Sequence, residues 1–168
     1  YPLHEGRITV VGRVAPFLEL GAGFQPELSG RENVYLYAAL LGLTRQQIHE
    51  RYSTIVAYAD LGRFMDQKVK NYSSGMQARL AFAITIHVDA DVLLVDEVLA
   101  VGDADFQKRC FNTFWALKKA GKTIIFVSHD LSEVKRFSDR VLWMDHGNMR
   151  MLGDPLTVVT SYEHTNAY

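Results

Sequence analysis

The order of apolar and polar residues predicts short strands at the start of the chain, followed by a loop. Apolar residues at 8–11 and 14–15, separated by Gly12 and Arg13, indicate a hairpin or the edge of a sheet. Residues 17–29 contain two glycines, one proline and two glutamates, a composition typical of a loop. Because strand begins almost at Tyr1, we expect a preceding segment to belong to the same domain.

Two helices are predicted next. Ser29 and Glu32 have the spacing of a capping box, so a helix should run from there to about Leu41 and end at Gly42. Thr44 caps a second helix. Its apolar residues share one face, at Ile48, Tyr52, Ile55, Val56 and Ala59. These helices form an insert between the opening strands and the rest of the chain.

A Ser-Ser-Gly turn precedes a third predicted helix. The apolar stripe of this helix consists of Met76, Leu80, Ala83, Ile84 and His87. Such a turn exposes backbone N–H groups and hydroxyl donors at the positive end of the helix dipole, which favours a phosphate. Ser73, Ser74 and Gly75 are therefore a candidate anion seat, and the alternative is a plain helix cap.

The second half of the chain alternates strands with helices. Strands are predicted at 92–95, 123–127 and 141–144, with helices between them. The uninterrupted apolar run at 92–95 suits a strand that is buried on both faces. This alternation predicts an α/β fold with a parallel sheet, and Pro155 opens a closing helix.

Composition and charge exclude several classes of protein. The 168 residues carry 18 Lys and Arg against 19 Asp and Glu, so no global basic field holds nucleic acid. A single cysteine, Cys110, excludes an intramolecular disulfide and indicates a cytosolic protein. No apolar run approaches the roughly 18 residues of a membrane-spanning helix.

Two predicted strand ends carry chemistry, because functional groups collect at the carboxyl ends of parallel strands. Asp96 and Glu97 follow the first of these strands, where one carboxylate can hold magnesium and its neighbour can polarise an attacking water. His129, between Ser128 and Asp130, follows the next strand and can donate a hydrogen bond to a phosphate. Read one at a time, both ends are also ordinary strand terminations and helix caps.

The order of these motifs resembles the nucleotide-binding domain of ATP-binding cassette (ABC) transporters. Residues 72–76 are similar to the signature motif, 92–96 to Walker B and 101–103 to the D-loop. The resemblance implies nucleotide contacts for Ser73, Ser74, Gly75 and Asp103. It further implies a metal ligand at Asp96, a catalytic base at Glu97 and a switch histidine at His129.

The resemblance also implies an architecture and partners. The fold expected is a partial P-loop NTPase-type parallel sheet core with an inserted α-helical subdomain. It divides into the end of the Q-loop region (1–28), a helical subdomain (29–90) and a catalytic core (91–168). ATP and Mg²⁺ are the implied ligands. Two such domains pair head to tail, bind a transmembrane permease and lie at the cytoplasmic face of the plasma membrane, without nucleic acid.

Three segments of the sequence are similar to those of the branch of this family that exports polysaccharides and polyol phosphates, such as O-antigen, capsule and teichoic acid. The segments LELGAGFQPELSGREN, YSSGMQARLAFA and LLVDEVLAVGD carry this similarity. The signature reads YSSGM rather than LSGGQ. The Q-loop lacks an unambiguous glutamine, and either Glu19 or Gln25 could fill that role.

A P-loop, G-x-x-x-x-G-K-[ST], is missing from this sequence, although the family's ATP site needs one. The triplet Gly121-Lys122-Thr123 imitates its end, but Ala116 stands in place of the first glycine. The triplet also follows a helix and precedes a strand, the reverse of a P-loop. The chain is therefore expected to be a fragment of the domain.

Two other classes of protein share parts of this pattern. Chromosome-maintenance and repair ATPases separate the P-loop from the signature by a coiled coil, but residues 44–70 lack the heptads that such a split requires. A degenerate paralogue that only binds a permease is the second alternative. The intact Asp96, Glu97 and His129 argue against it.

The missing phosphate cradle predicts that this chain alone neither hydrolyses ATP nor binds it tightly, because positioning and electrostatics supply nearly all of phosphoryl-transfer catalysis. Titration calorimetry tests this expectation, and micromolar binding would contradict it.

Overall fold

The computed structural model describes residues 5–17, 20–96 and 102–165. The helices are α1 (Gly30–Leu40), α2 (Arg45–Ala59), α3 (Ser74–Ile86), α4 (Ala104–Lys119), α5 (Leu131–Phe137) and α6 (Pro155–Thr165). The strands are β1 (Val14–Phe17), β2 (Val92–Asp96), β3 (Thr123–Val127), β4 (Val141–Asp145) and β5 (Asn148–Gly153). Short 3-10 helices occupy Gly62–Phe64 and Val69–Asn71. Within these ranges, no helix has both the length and the apolar character needed to cross a membrane.

The chain forms two compact units, divided after Ile125. This division falls inside the segment 91–168 that the sequence assigns to one catalytic core, and the three-part assignment stays a prediction.

The first sheet has the strand order β1-β2-β3. β1 runs parallel to β2, with Val14 beside Val92 and Phe17 beside Val95. The predicted opening hairpin is therefore wrong, and the sheet-edge alternative is confirmed. Residues 7–11 carry no regular secondary structure, because the pairing partner of β1 lies far along the chain rather than next to it.

The strand predicted at 141–144 is present as β4, but it pairs antiparallel with β5 in a separate two-stranded sheet. The sequence had predicted that this strand extends the parallel sheet, and that prediction is wrong. His146 and Gly147 join the two strands with φ of 46° and 79°, the left-handed conformation that tight hairpin turns require. In this second unit, Trp143 of β4 packs edge-on against Tyr162 of α6, with ring centroids 5.4 Å apart.

Both inserted helices begin with complete capping boxes, as predicted for α1. The Ser29 hydroxyl accepts from Glu32 N, and the Glu32 carboxylate accepts from Ser29 N at 2.8 Å. Thr44 and Gln47 form the same pair at α2. The two helices pack with α3 around a shared apolar core, which includes Val34, Ala38, Ile48, Ile55, Leu80 and Ile84.

The helix α3 is buried on all sides in its second half. The predicted stripe is too narrow, since Ala81, Phe82 and Thr85 are buried together with Leu80 and Ile84. The additional burial arises because Phe82 belongs to an aromatic cluster on the other side of the helix. Its ring centroid lies 5.5 Å from Phe17 of β1, 5.8 Å from Phe106 and 5.6 Å from Phe114 of α4.

The loop before α1 is fastened to that helix by Asn33, which is fully buried. The Asn33 amide nitrogen donates to the carbonyl oxygens of Gln25, Leu28 and Ser29 at 2.9 to 3.2 Å. Its side-chain oxygen accepts from Gln25 N at 2.7 Å. One polar side chain thus satisfies four backbone groups.

We expect Asn33→Ala to lower the free energy of unfolding by about 2 kcal/mol, because it leaves Gln25 N without its acceptor and removes three further hydrogen bonds of a buried side chain. Urea denaturation measures this loss. Asn112→Ala, at an exposed position of α4, is the matched control and should change stability by less than about 0.5 kcal/mol. Equal effects of the two substitutions would contradict the role assigned to Asn33.

Candidate functional site

The amino end of α3 presents the candidate anion seat. Ser73 is the N-cap, and its hydroxyl accepts from Met76 N at 3.2 Å. Ser74 and Gly75 lie inside the first helical turn, so the Ser-Ser-Gly turn does not precede the helix as predicted. Ser73 and Ser74 are exposed. Because the first amides of a helix have no intrahelical acceptor, this end offers N–H groups and hydroxyls to an anion.

Tyr72 anchors this turn on its buried side. Its buried hydroxyl donates to Phe64 O at 2.8 Å, close to Gly30 at the start of α1. A Cβ at Gly30 would collide with this hydroxyl, so the contact requires glycine. Burial raises the pKa of Tyr72 to about 12. The exposed serines are thus attached to a rigid, buried anchor.

A cavity of about 440 Å³ opens at this turn. Its lining residues are Ser73, Ser74, Gly75, Met76, Ala78, Arg79, Gly102 and Asp103. The structure therefore brings the predicted signature residues together with Asp103 of the predicted D-loop. Asp96 and Gln25 do not line this cavity.

Asp103 is the N-cap of α4. One carboxylate oxygen accepts from Phe106 N at 2.9 Å, and the other lies 3.4 Å from Arg79 Nη1. Gly102, immediately before it, has φ of 79°, and a Cβ there would approach the Phe106 ring within 3.0 Å. The backbone at this corner therefore requires glycine.

Asp96 is the last residue of β2 and is exposed, as the sequence predicts for a strand end. Glu97, the predicted catalytic base, lies outside the described residues. In the described part of the chain, no group of three or more His, Cys, Asp or Glu side chains is arranged to hold a metal. Asp96 can thus contribute a single carboxylate, which suits Mg²⁺ because this ion keeps several waters and binds substrate phosphates.

His129 lies in the second unit, exposed between the end of β3 and the start of α5. Its neighbour Asp130 caps α5, accepting from Ser132 N at 2.8 Å and from Glu133 N at 3.2 Å. The hydrogen bond from the Ser132 hydroxyl lowers the pKa of Asp130. Asp130 is therefore a helix cap. His129 stays the residue of this segment that we expect to donate a hydrogen bond to a phosphate.

Of the two Q-loop candidates, Glu19 lies outside the described residues. Gln25 has its backbone fixed by Asn33, while the residue as a whole is exposed. This geometry can present the Gln25 amide to a ligand at a defined place. The role of Gln25 stays a prediction.

Sequence reasoning assigned no role to Arg79, the cation that lines the cavity. Its acidic partners, Asp60 and Asp103, lie 19 and 24 positions away along the chain. No local pattern links the three residues. Only the packing of α3 against the end of α2 and the start of α4 brings them together.

Parallel strands with an inserted helical segment and a candidate anion seat at a helix terminus are typical of a nucleotide-binding α/β domain. A family model described as ABC transporter matches residues 4–100, more than half of the chain. The chain therefore belongs to the ABC transporter family, which confirms the resemblance inferred from its motifs.

Curated relatives cover almost the whole chain. The O-antigen export system ATP-binding protein RfbB of Klebsiella pneumoniae is 47% identical over 97% of this chain and 66% of its own length. RfbB of Myxococcus xanthus is 44% identical over 96% of this chain and 37% of its own length. The teichoic acids export ATP-binding protein TagH of Listeria innocua is 40% identical over 96% of this chain and 48% of its own length. The chain thus spans 37% to 66% of the length of these relatives.

Solved structures share the fold. A dimeric ATP-binding cassette in a post-hydrolysis state, bound to ADP and Pi, has a TM-score of 0.68 at 21% identity, covering 85% of this chain and 63% of that chain. An ATP-binding subunit of an ABC transporter has a TM-score of 0.76 at 18% identity, covering 89% and 62%. The predicted fold class is therefore confirmed.

Burial suppresses the ionisation of two side chains where α2 meets α4. The Tyr58 hydroxyl lies 2.8 Å from Thr113 Oγ1, and burial raises the pKa of Tyr58 from 10.0 to about 12. Burial also raises the pKa of the Cys110 thiol from 9.0 to about 12. Both groups thus remain neutral in the folded protein at pH values where the unfolded chain has lost their protons.

We expect the free energy of unfolding to decrease as pH rises from about 9 to about 12. The unfolded state binds fewer protons than the folded state in this window, so the slope of stability against pH is negative. Urea denaturation at successive pH values measures it, and Tyr58→Phe should make the decrease shallower. A stability that rises across this window would contradict the burial of these groups.

Proposed function

We propose that this chain is part of the ATP-binding and ATP-hydrolysing subunit of an exporter. The cargo proposed is a polysaccharide or polyol phosphate of the O-antigen or teichoic acid type, moved across the cytoplasmic membrane. The observation that carries the proposal is the exposed seat at the start of α3, where Ser73, Ser74 and Gly75 face the same cavity as Asp103. Family membership and the names of the export relatives support it.

The seat would bind the nucleotide phosphates of a second copy. Amide groups of the first turn of α3 and the hydroxyls of Ser73 and Ser74 donate to phosphate oxygens, and the helix dipole favours their negative charge. Gly75 leaves room for close approach, since the nearest atom to a Cβ built there is Ser73 Oγ at 3.9 Å. In a head-to-tail pair, this surface completes the site whose phosphate cradle belongs to the partner.

The strand ends would serve the nucleotide of the same copy. Asp96 would hold Mg²⁺, which when bound neutralises developing charge on the phosphates. Glu97 would accept a proton from the attacking water, and His129 would donate a hydrogen bond to the terminal phosphate. Gln25 or Glu19 would supply the Q-loop contact. The division of roles between two copies makes hydrolysis depend on their association.

A permease and a membrane location complete the proposal. The family and its named export systems support a transmembrane partner, with this subunit bound peripherally at the cytoplasmic face of the plasma membrane. The near-neutral charge of the chain gives no support for a nucleic-acid partner.

Gly75→Asp tests the anion seat. We expect this substitution to leave the fold intact, because an acidic residue in the first helical turn contributes about 0.3 to 1 kcal/mol of stability. ATP hydrolysis should fall by about tenfold or more, because the new carboxylate repels the phosphates that the seat would bind. The measurements are steady-state hydrolysis by the full-length protein with Mg²⁺ and ATP, and surface polysaccharide on cells that carry the variant gene.

Gly75→Ala is the matched control, because it adds a Cβ without charge that comes no closer than 3.9 Å to its nearest neighbour, Ser73 Oγ. It should reduce hydrolysis less than Gly75→Asp does. Wild-type turnover by the Asp variant would refute the seat, and normal surface polysaccharide in cells that lack the gene would refute the exporter.

A further inference from the structure

The guanidinium of Arg79 connects three helices. Its Nε donates to Ala59 O at 3.0 Å, at the carboxyl end of α2. Its Nη2 lies 3.0 Å from the Asp60 carboxylate, and its Nη1 lies 3.4 Å from the Asp103 carboxylate at the start of α4. The carbon at its centre stands 5.2 Å from the centroid of the Phe106 ring. Arg79 belongs to α3, about 1.7 helical turns after Ser73.

Asp60, one partner of this contact, has an unfavourable backbone conformation. It is the C-cap of α2 and has φ of 54° and ψ of 45°, in the left-handed region that side-chain-bearing residues seldom adopt. The ion pair with Arg79 holds the Asp60 side chain toward α3. Strain of this kind persists where surrounding contacts fix it.

Asp103 is held from two directions. Its Oδ1 accepts from Phe106 N and thereby caps α4, while its Oδ2 pairs with Arg79 of α3. Arg79 therefore links the Gly102–Asp103 corner to the helix that carries the Ser73–Gly75 turn, in addition to the packing of Phe82 against Phe106. Both segments form walls of the cavity at the seat.

We propose that Arg79 is a positioning residue, which holds Asp103 at a fixed spacing from the Ser73–Gly75 turn so that both walls meet the nucleotide as one rigid surface. This inference rests on the proposed function. Arg79 acts through Asp103, because each of its three guanidinium nitrogens already has a protein partner, at Ala59, Asp60 or Asp103. Lysine cannot replace it, since a single ammonium lacks the planar fork that reaches several acceptors at once.

Arg109 provides a matched control within the same region. Its Nη1 donates to Tyr58 O at 2.9 Å, so it also binds a carbonyl at the end of α2. Its guanidinium stands 5.9 Å from the Phe106 ring and 5.7 Å from the Tyr58 ring. Arg109→Gln therefore removes a helix-end hydrogen bond and ring contacts of the same kind, but outside the cavity.

The experiment compares ATP hydrolysis by the full-length protein and its variants, with kcat and KM measured separately. We expect Arg79→Gln to lower kcat/KM about tenfold or more and Arg79→Lys to restore little of it, while Arg109→Gln stays within about twofold of wild type. Asp103→Asn keeps the cap of α4, because asparagine is as good an N-cap as aspartate, but loses the ion pair. The double variant Arg79→Gln/Asp103→Asn should be no slower than the slower single variant, because both act through one interaction.

Two results would overturn the inference. One is an equal kcat/KM for Arg79→Gln and Arg109→Gln. The other is a loss of kcat/KM in the double variant that equals the product of the losses in the two single variants. If Arg79→Gln does not fold, Arg79→Lys replaces it in the double-mutant cycle with Asp103→Asn. The double variant should then again be no slower than the slower single variant. A wild-type protein without ATP turnover would instead contradict the proposed function. Turnover in wild type together with unimpaired Arg79 variants would remove only the role of Arg79.

Discussion

Burial of α3 is the constraint on which the candidate site depends. Leu80, Ala83 and Ile84 are buried and pack into the core shared with α1 and α2, while Phe82 reaches the rings of β1 and α4 on the opposite side. A helix held from both sides cannot slide or rotate without breaking one of the two sets of contacts. Its polar first turn is therefore fixed at the surface, where amides and hydroxyls can meet an anion. The hydrophobic effect thus determines where the charge chemistry takes place.

The site is built from helix ends rather than from a cluster of side chains. The amino ends of α3 and α4 supply Ser73 and Asp103, and the carboxyl end of α2 supplies carbonyl oxygens that two arginines bind. Helix ends carry unsatisfied backbone groups and partial charges, so each needs a partner or a ligand. Here Arg79 and Arg109 occupy the carboxyl end of α2, and the amino end of α3 stays open to an anion. This difference supports the anion-binding role that we propose for the amino end of α3.

Local signals in the sequence predicted most of the elements. The capping residues Ser29 and Thr44 and the apolar spacing behind them fix α1 and α2 within a few residues, because these interactions are complete within one helical turn. The opening hairpin was wrong, since the choice of partner for β1 depends on β2 and not on the neighbouring residues. Arg79 was missed for the same reason, because its partners come from two other helices. The roles of Glu97 and Glu19 rest on motif position alone, and those of Asp96, Gln25 and His129 stay predictions.

The pairing of β1 with β2 has a consequence for how the chain is made. Arg13 and Asp91, which join the two strands at one end, are 78 positions apart. At a synthesis rate of about 5 to 20 residues per second, β1 would wait roughly 4 to 16 s on the ribosome before its partner emerges. The helices α1 to α3 lie between them and contact one another, so they can assemble during this delay. Throughout it, Ala15 and Phe17 of β1, which are buried in the folded protein, stay open to the solvent, so β1 is exposed to wrong pairing for longer than the helices are.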